Sequence, residues 1–149
     1  MNIHYLTIGI AALLLLYHQV TTWLPLYPWN DTSKYTKKEL ALEGMSNAFL
    51  MGTGLVCISI GSNNFYHYYP LFYYPFLLLG EIFQWWIPYW SDKFAKSQIN
   101  FEYDVRFSNT TKMIPHREGK RTPDGNHIIL HFITLIAVIL VYADLLGKH

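Results

Sequence analysis

The segment FYHYYPLFYYPFLLLGEIFQWWIPYW, residues 65–90, is apolar and long enough to cross a lipid bilayer, yet it contains a carboxylate, Glu81. A helical span needs roughly 20 mainly apolar residues. An ionisable group near the middle of a span costs on the order of 3 kcal/mol, and each Leu, Ile or Phe favours insertion by about 0.3–0.6 kcal/mol. The apolar neighbours therefore offset Glu81, and the segment is predicted to be a spanning helix with one polar side.

Two further residues of this segment are expected to place polar groups near Glu81. Gln84 lies one helical turn away on the same face of a helix. Pro88 has no backbone N–H, so the carbonyl group of Gln84 loses its helical partner. Glu81 itself has three interpretations: a structural carboxylate paired inside the protein, a proton or cation site in transport, and a catalytic acid, base or ligand.

The composition places the chain among single-domain membrane proteins. Its 149 residues are 52% hydrophobic and 17% aromatic, and 14% are charged. These values are far from those of disordered or nucleic-acid-binding chains, and we expect no nucleic-acid partner. One cysteine, Cys57, excludes an intramolecular disulfide and any multi-cysteine metal motif.

Hydropathy predicts an all-α integral membrane protein, a compact bundle of four transmembrane helices in one domain, residues 1–149. The predicted spans are residues 3–24, 42–60, 69–90 and 128–146. A long polar loop, residues 91–127, connects the third span to the fourth. The first part of that loop mixes aromatic and charged residues, which suits an interfacial helix. Asp31 or Thr32 is expected to cap a short helix before the second span, and Asp124 or Asn126 to cap the fourth.

The basic residues predict the orientation of the bundle. Four spans put loops 25–41 and 91–127 on one side and both termini on the other. One basic residue, Lys148, belongs to the terminal side. The loop side holds Lys34, Lys37, Lys38, Lys93, Lys96, Arg106, Lys112, Arg117, Lys120 and Arg121. The positive-inside rule therefore places both loops in the cytoplasm and both termini outside.

With this orientation, polar residues from different spans fall in the cytoplasmic half of the membrane. We expect them to converge on an inward-facing polar pocket. Its predicted ligand-binding residues are His18, Gln19, Glu43, Asn47, Glu81 and Gln84.

Two histidines near the start of the fourth span define a possible metal site. His127 and His131 are one turn apart, a spacing that allows both imidazoles to bind a divalent transition metal, with Glu43 or Glu81 completing the site. The alternative is that His131 hydrogen-bonds to Glu81 or Glu43. Basic residues just before this span, Arg117, Lys120 and Arg121, form either a topology signal or a site for an anionic headgroup.

These features leave three functions open. The first is a transport-associated or accessory protein whose pocket binds a cation, a proton or a small polar ligand. The second is a membrane-embedded, metal-dependent enzyme acting on a lipid or lipid-linked substrate. The third is a purely structural accessory subunit. The expected partners are the lipid bilayer and a second copy or a larger membrane complex, and Asp144 is expected to face water or such a partner.

Overall fold

The structure, a computed structural model, describes residues 2–61, 65–91, 93 and 101–147. The described residues contain helices and no strand, which confirms the all-α class. The helices are α1 (Ile3–Trp23), α2 (Lys37–Ile60), α3 (Phe65–Glu81), α4 (Ile87–Trp90), α5 (Phe101–Phe107) and α6 (Gly125–Leu146). The part of the predicted interfacial element that comprises residues 92 and 94–100 lies outside the described residues.

Polar caps fix where the long helices begin. The Asn2 side chain accepts a hydrogen bond from the backbone N–H of His4 at the start of α1. Thr36 and Glu39 form a reciprocal capping box at the start of α2, so this helix begins before the predicted span. Asp31 precedes a short 3₁₀ helix, Thr32–Lys34, but its side chain forms no capping hydrogen bond there, and the residue that caps α2 is Thr36. Asp124 caps α6 through its bond with the N–H of His127, as predicted.

The segment that contains Glu81 is a helix with a widened turn. Residues Ile82–Trp86 form a π-helical turn, closed by a hydrogen bond from the N–H of Ile87 to the carbonyl of Ile82. Pro88 follows in α4. Because proline cannot donate to the carbonyl one turn earlier, the Gln84 carbonyl is left for another donor, and Nη1 of Arg121 lies 3.3 Å from it. The regular 3.6-residue period therefore ends at Glu81.

The four long helical segments pack in a ring: α1 contacts α2 and α6, and α3 also contacts α2 and α6. The buried core lies between them and includes Leu14, Met51, Ile58, Tyr74, Ala137 and Val141. Three helices, α1, α2 and α6, are long and apolar enough to cross a membrane. Large apolar side chains outside the core are strongly exposed, including Phe49 at 73% and Phe76 at 76%. These features agree with an integral membrane protein.

A partly buried contact between an imidazole and a carboxylate joins the start of α1 to the end of α6. Nδ1 of His4, at the start of α1, lies 2.7 Å from Oδ2 of Asp144, near the end of α6. Asp144 is 1% exposed. The expectation that Asp144 faces water or a partner is therefore wrong, because its carboxylate is turned inward to the imidazole.

Glycines allow close contact between helices and aromatic rings. A Cβ atom on Gly54 of α2 would lie 2.9 Å from the hydroxyl oxygen of Tyr74 in α3, and Tyr74 is completely buried. A Cβ atom on Gly52, two residues before Gly54 in the same helix, would meet nothing within 4 Å. Gly54 therefore sets the distance between α2 and α3, whereas Gly52 does not.

This difference predicts opposite effects for two neighbouring substitutions. Gly52→Ala should raise stability by up to about 1 kcal/mol, because alanine favours helix. Gly54→Ala should lower stability by about 1–3 kcal/mol, because the buried Tyr74 ring must move. Unfolding of both variants in mixed detergent and sodium dodecyl sulfate micelles measures the free energies. Equal stabilities would show that α2 and α3 do not approach closely at Gly54.

Candidate functional site

Loop contacts bring the polar ends of the helices together. The backbone N–H of Thr111 donates to the carbonyl of Pro28, and the N–H of Gly125 donates to the carbonyl of Thr111, both at 2.8 Å. The buried Asn30 amide donates to the carbonyls of Thr21 and Leu24 at the end of α1. These bonds satisfy backbone N–H and C=O groups that have no partner within the helices, and they hold the start of α6 beside the end of α1.

The described residues enclose three cavities at this end of the helices that share Glu43 and His127 in their lining. The outer cavity, about 390 Å³, is lined toward the loops by Tyr103, Arg106 and Arg121. The inner cavity, about 180 Å³, extends along the helices to Met51, Leu77, Glu81 and His131. A side cavity of about 70 Å³ lies against α1 and the residues around Asn30. Asn47, Gln84 and Trp85 line both the outer and the inner cavity.

Glu81 is buried at the inner cavity with one of its two oxygens satisfied. The Thr134 hydroxyl donates to Oε1 over 2.8 Å. Oε2 has no hydrogen-bond partner among the described residues. The side chain lines the inner cavity, and the whole residue is 8% exposed. A buried carboxylate oxygen without a partner is costly, so a proton or a polar ligand is needed there.

His131 is held in one tautomer by a tryptophan. The indole Nε1 of Trp86 lies 3.0 Å from Nδ1 of His131. An indole N–H can only donate, so Nδ1 accepts and the ring proton lies on Nε2. A ring that accepts at Nδ1 is neutral. The predicted bond from His131 to Glu81 or Glu43 is therefore replaced by one with Trp86.

His127 is oriented by an aspartate and a tryptophan ring. Nδ1 of His127 lies 2.7 Å from Oδ1 of Asp124, whose side chain is 1% exposed. The Trp85 ring lies against the imidazole, with centroids 3.9 Å apart. Because Nδ1 faces the carboxylate, Nε2 is the ring nitrogen left for a ligand. This is the arrangement by which a carboxylate orients a histidine for acid–base chemistry.

The loop-side groups around Asp124 have shifted pKa values. Burial alone would raise the pKa of Asp124, but the hydrogen bonds and the charge of His127 outweigh burial, so this pKa is lowered. Burial lowers the pKa of Lys112, which Asp124 partly counteracts. Burial raises the pKa of Tyr35, and the Glu43 carboxylate adds to this effect. Asp124 is therefore ionised at neutral pH, as an orienting carboxylate must be.

Of the six predicted pocket residues, His18, Glu43, Asn47, Glu81 and Gln84 line the inner cavity. Gln19 is engaged elsewhere: its Nε2 donates to the carbonyl of Gly44, and its Oε1 accepts from Nε1 of Trp23. Gln84 lies near Glu81, but the hydrogen bond to Glu81 comes from Thr134. These five residues come from α1, α2 and the segment 65–90, and α6 adds His127 and His131 to the same lining.

The three predicted anion-binding residues occupy different places. Arg121 lines the outer cavity. Arg117 donates from Nη1 to the carbonyl of Tyr89 and lies over the Tyr89 ring at 5.5 Å. Lys120 forms a turn in which its backbone N–H donates to the carbonyl of Arg117. A further basic residue, Arg106, lines the outer cavity and pairs with Glu39 at 2.6 Å.

The predicted metal ligands His127, His131 and Glu81 all line the inner cavity. The two imidazole centroids are 6.0 Å apart. Within the described part of the chain, no group of three or more His, Cys, Asp or Glu side chains is arranged to hold a metal ion. A bound metal therefore stays a prediction, and Nδ1 of each histidine is already engaged.

Sequence patterns did not identify several residues of this site. Thr134, Trp85 and Trp86 make direct contacts with Glu81, His127 and His131, respectively. Threonine and tryptophan are common in membrane helices as packing and interfacial residues, so their type alone gave no signal. The sequence did indicate Asp124 as a cap of the last helix, three residues before His127.

No family model matches this chain, and comparison with curated proteins and with solved structures finds no significant similarity.

The Asp124–His127 contact predicts a specific response to acid. A carboxylate with a lowered folded-state pKa stabilises the fold above its unfolded pKa of about 3.9, and this contribution is lost as the pH falls through the lower folded-state value. Asp124→Asn keeps the helix cap but loses the charge. It should cost about 1–2 kcal/mol at pH 7, and its stability should depend less on pH in this acidic range.

Thermal unfolding of detergent-solubilised protein between pH 3 and pH 7 measures this dependence, with Glu118→Gln as an exposed control. A pH dependence that is the same in Asp124→Asn and in the wild type would contradict the assigned pair.

Proposed function

We infer that the protein is a four-helix transmembrane protein whose pocket binds a small polar ligand from the cytoplasmic side, in transport or as an accessory subunit. The observation that carries this proposal is the set of cavities that share Glu43 and His127. Ligand sites are usually concave, with a few convergent polar groups on an apolar wall. The inner cavity has this composition, because Glu81 and His131 face it together with Met51 and Leu77.

The proposal makes the α3 segment the fourth span, although the π-helical turn interrupts it. Residues Phe65–Glu81 already form a helix, and the π-helical turn and α4 extend it to Trp90. Together with the ring of contacts among α1, α2, α3 and α6, this supports a four-span bundle. The excess of Lys and Arg in loops 25–41 and 91–127 supports a cytoplasmic position for the cavity end.

A second function, an enzyme acting on a lipid or lipid-linked substrate, is favoured by the Asp124–His127 pair. A buried carboxylate that orients a histidine beside a cavity is a common arrangement for acid–base catalysis. A purely structural subunit is less favoured, because Glu81 Oε2 lacks a partner among the described residues while the side chain lines a cavity. A homodimer or larger complex stays a prediction for either function.

Cysteine labelling tests whether water reaches the pocket from the loop side. In a Cys57→Ala background, Asn47→Cys should react with a membrane-impermeant maleimide, because Asn47 lines both larger cavities. Phe49→Cys, two positions along the same helix and 73% exposed on its outer surface, should stay unlabelled in the bilayer. Labelling is measured on membrane vesicles of known orientation.

Glu118→Cys, in the exposed loop, reports which side of the vesicle the reagent reaches. Asn47→Cys and Glu118→Cys should be labelled from the same side. If Asn47→Cys fails to react from either side, the pocket is closed and the proposed function is wrong.

A further inference from the structure

The inner cavity differs from the outer cavity in charge. The outer cavity is lined by Arg106 and Arg121, whereas no Lys or Arg is found among the described residues that line the inner one. Glu43 and Glu81 both line the inner cavity. Arg106 is paired with Glu39, and Arg121 donates to the Gln84 carbonyl, and neither arginine lines the inner cavity. The inner cavity is therefore the more negative of the two.

The histidine beside Glu81 does not balance this charge. His131 accepts the indole N–H of Trp86 at Nδ1, and a ring that accepts there is neutral. Glu81 Oε1 is already bonded to Thr134, and Oε2 has no hydrogen-bond partner among the described residues. Among the described residues that line this cavity, no Lys or Arg neutralises the Glu81 carboxylate, and the other histidine, His127, faces Asp124 through Nδ1.

The size and walls of the inner cavity indicate what kind of cation fits. A single water molecule needs roughly 10–15 Å³ measured with a water-sized probe, and this cavity measures about 180 Å³. It therefore holds a ligand of several non-hydrogen atoms. Trp85 offers an aromatic ring, a favourable neighbour for an ammonium group, and Leu77 and Leu130 offer apolar contacts.

Building on the proposed function, we propose that the inner cavity binds a small organic cation, a primary ammonium group on a short carbon chain, with Glu81 as its counter-charge. The ammonium group lies beside the Glu81 carboxylate and the Trp85 ring, and the carbon chain lies against Leu77 and Leu130. The same chemistry is offered by a soluble amine and by the ethanolamine headgroup of a phospholipid.

The test measures the charge preference of the cavity with two small thiol reagents of opposite charge. In Cys57→Ala, Asn47→Cys protein in dodecyl maltoside micelles, we compare the reaction rates of 2-aminoethyl and 2-sulfonatoethyl methanethiosulfonate, each normalised to its rate with a free thiol. The cationic reagent should react at least about tenfold faster, since charge focusing in clefts changes local concentrations by 10–10³. Equal rates, or a faster anionic reagent, would overturn the proposal. Such a result would show that the cavity is open to small reagents but does not prefer cations. No reaction with either reagent would overturn the proposed function as well.

Two further comparisons assign the preference to Glu81. Glu81→Gln keeps an oxygen for the Thr134 hydroxyl and should abolish most of the rate ratio, whereas Glu118→Gln in the exposed loop should leave the ratio unchanged. An unchanged ratio in Glu81→Gln would overturn the role of Glu81.

Protection against the cationic reagent tests the ligand without any change at Glu81. Propylammonium should slow the reaction, and propanol, which has the same shape without charge, should not. Equal protection by both would overturn the proposal. Protection by added phosphatidylethanolamine but not by soluble ethanolamine would identify the amine as a lipid headgroup, and protection by ethanolamine alone would identify a soluble ligand.

Discussion

The hydrogen bond between Glu81 and Thr134 is the interaction on which the interior of this protein depends. It joins the apolar segment 65–90 to α6 at the position where a carboxylate would otherwise lie among apolar side chains. One hydrogen bond from a hydroxyl does not satisfy a carboxylate that has two oxygens. The remaining oxygen has no hydrogen-bond partner among the described residues, and a cavity with polar walls lies next to Glu81.

The π-helical turn after Glu81 positions the other half of the site. Two consecutive tryptophans, Trp85 and Trp86, contact two histidines that are one turn apart on α6. The Trp86 indole fixes the proton of His131, and the Trp85 ring together with Asp124 fixes the orientation of His127. π-helical turns often occur at functional sites because the extra residue changes which side chains face a neighbouring helix. Here the widened turn gives both histidines a defined direction.

The sequence predicted the parts of the fold that depend on hydropathy and on local capping. Three of the predicted spans correspond to long apolar helices, and Asp124 caps α6 as its position before the apolar run suggested. The polar residues that the sequence placed at one depth do line shared cavities, apart from Gln19. These features follow from composition and from the 3.6-residue period, which are visible in a single chain.

The remaining features depend on contacts between helices, which a single sequence does not reveal. The regular period placed Gln84 beside Glu81, but the π-helical turn changes the register, and Thr134 of another helix is the donor. Asp144 was expected to face outward because it lies near a helix end, yet His4 from the start of the chain lies next to it. Which side chain meets which across helices is decided by packing, and patterns within one segment do not contain that information.

The central claim is that segment 65–90 crosses the bilayer with one side facing a water-filled pocket. The most direct measurement compares spin labels at Phe83→Cys and Gln84→Cys in reconstituted bilayers, by their collision rates with oxygen and with a water-soluble nickel complex. Gln84 lines both larger cavities, whereas Phe83 is 57% exposed on the outer surface. The label at residue 84 should meet the nickel complex more often and the label at residue 83 should meet oxygen more often. Equal nickel collision rates at both positions would contradict the account, because the segment would then have no distinct lipid side and pocket side.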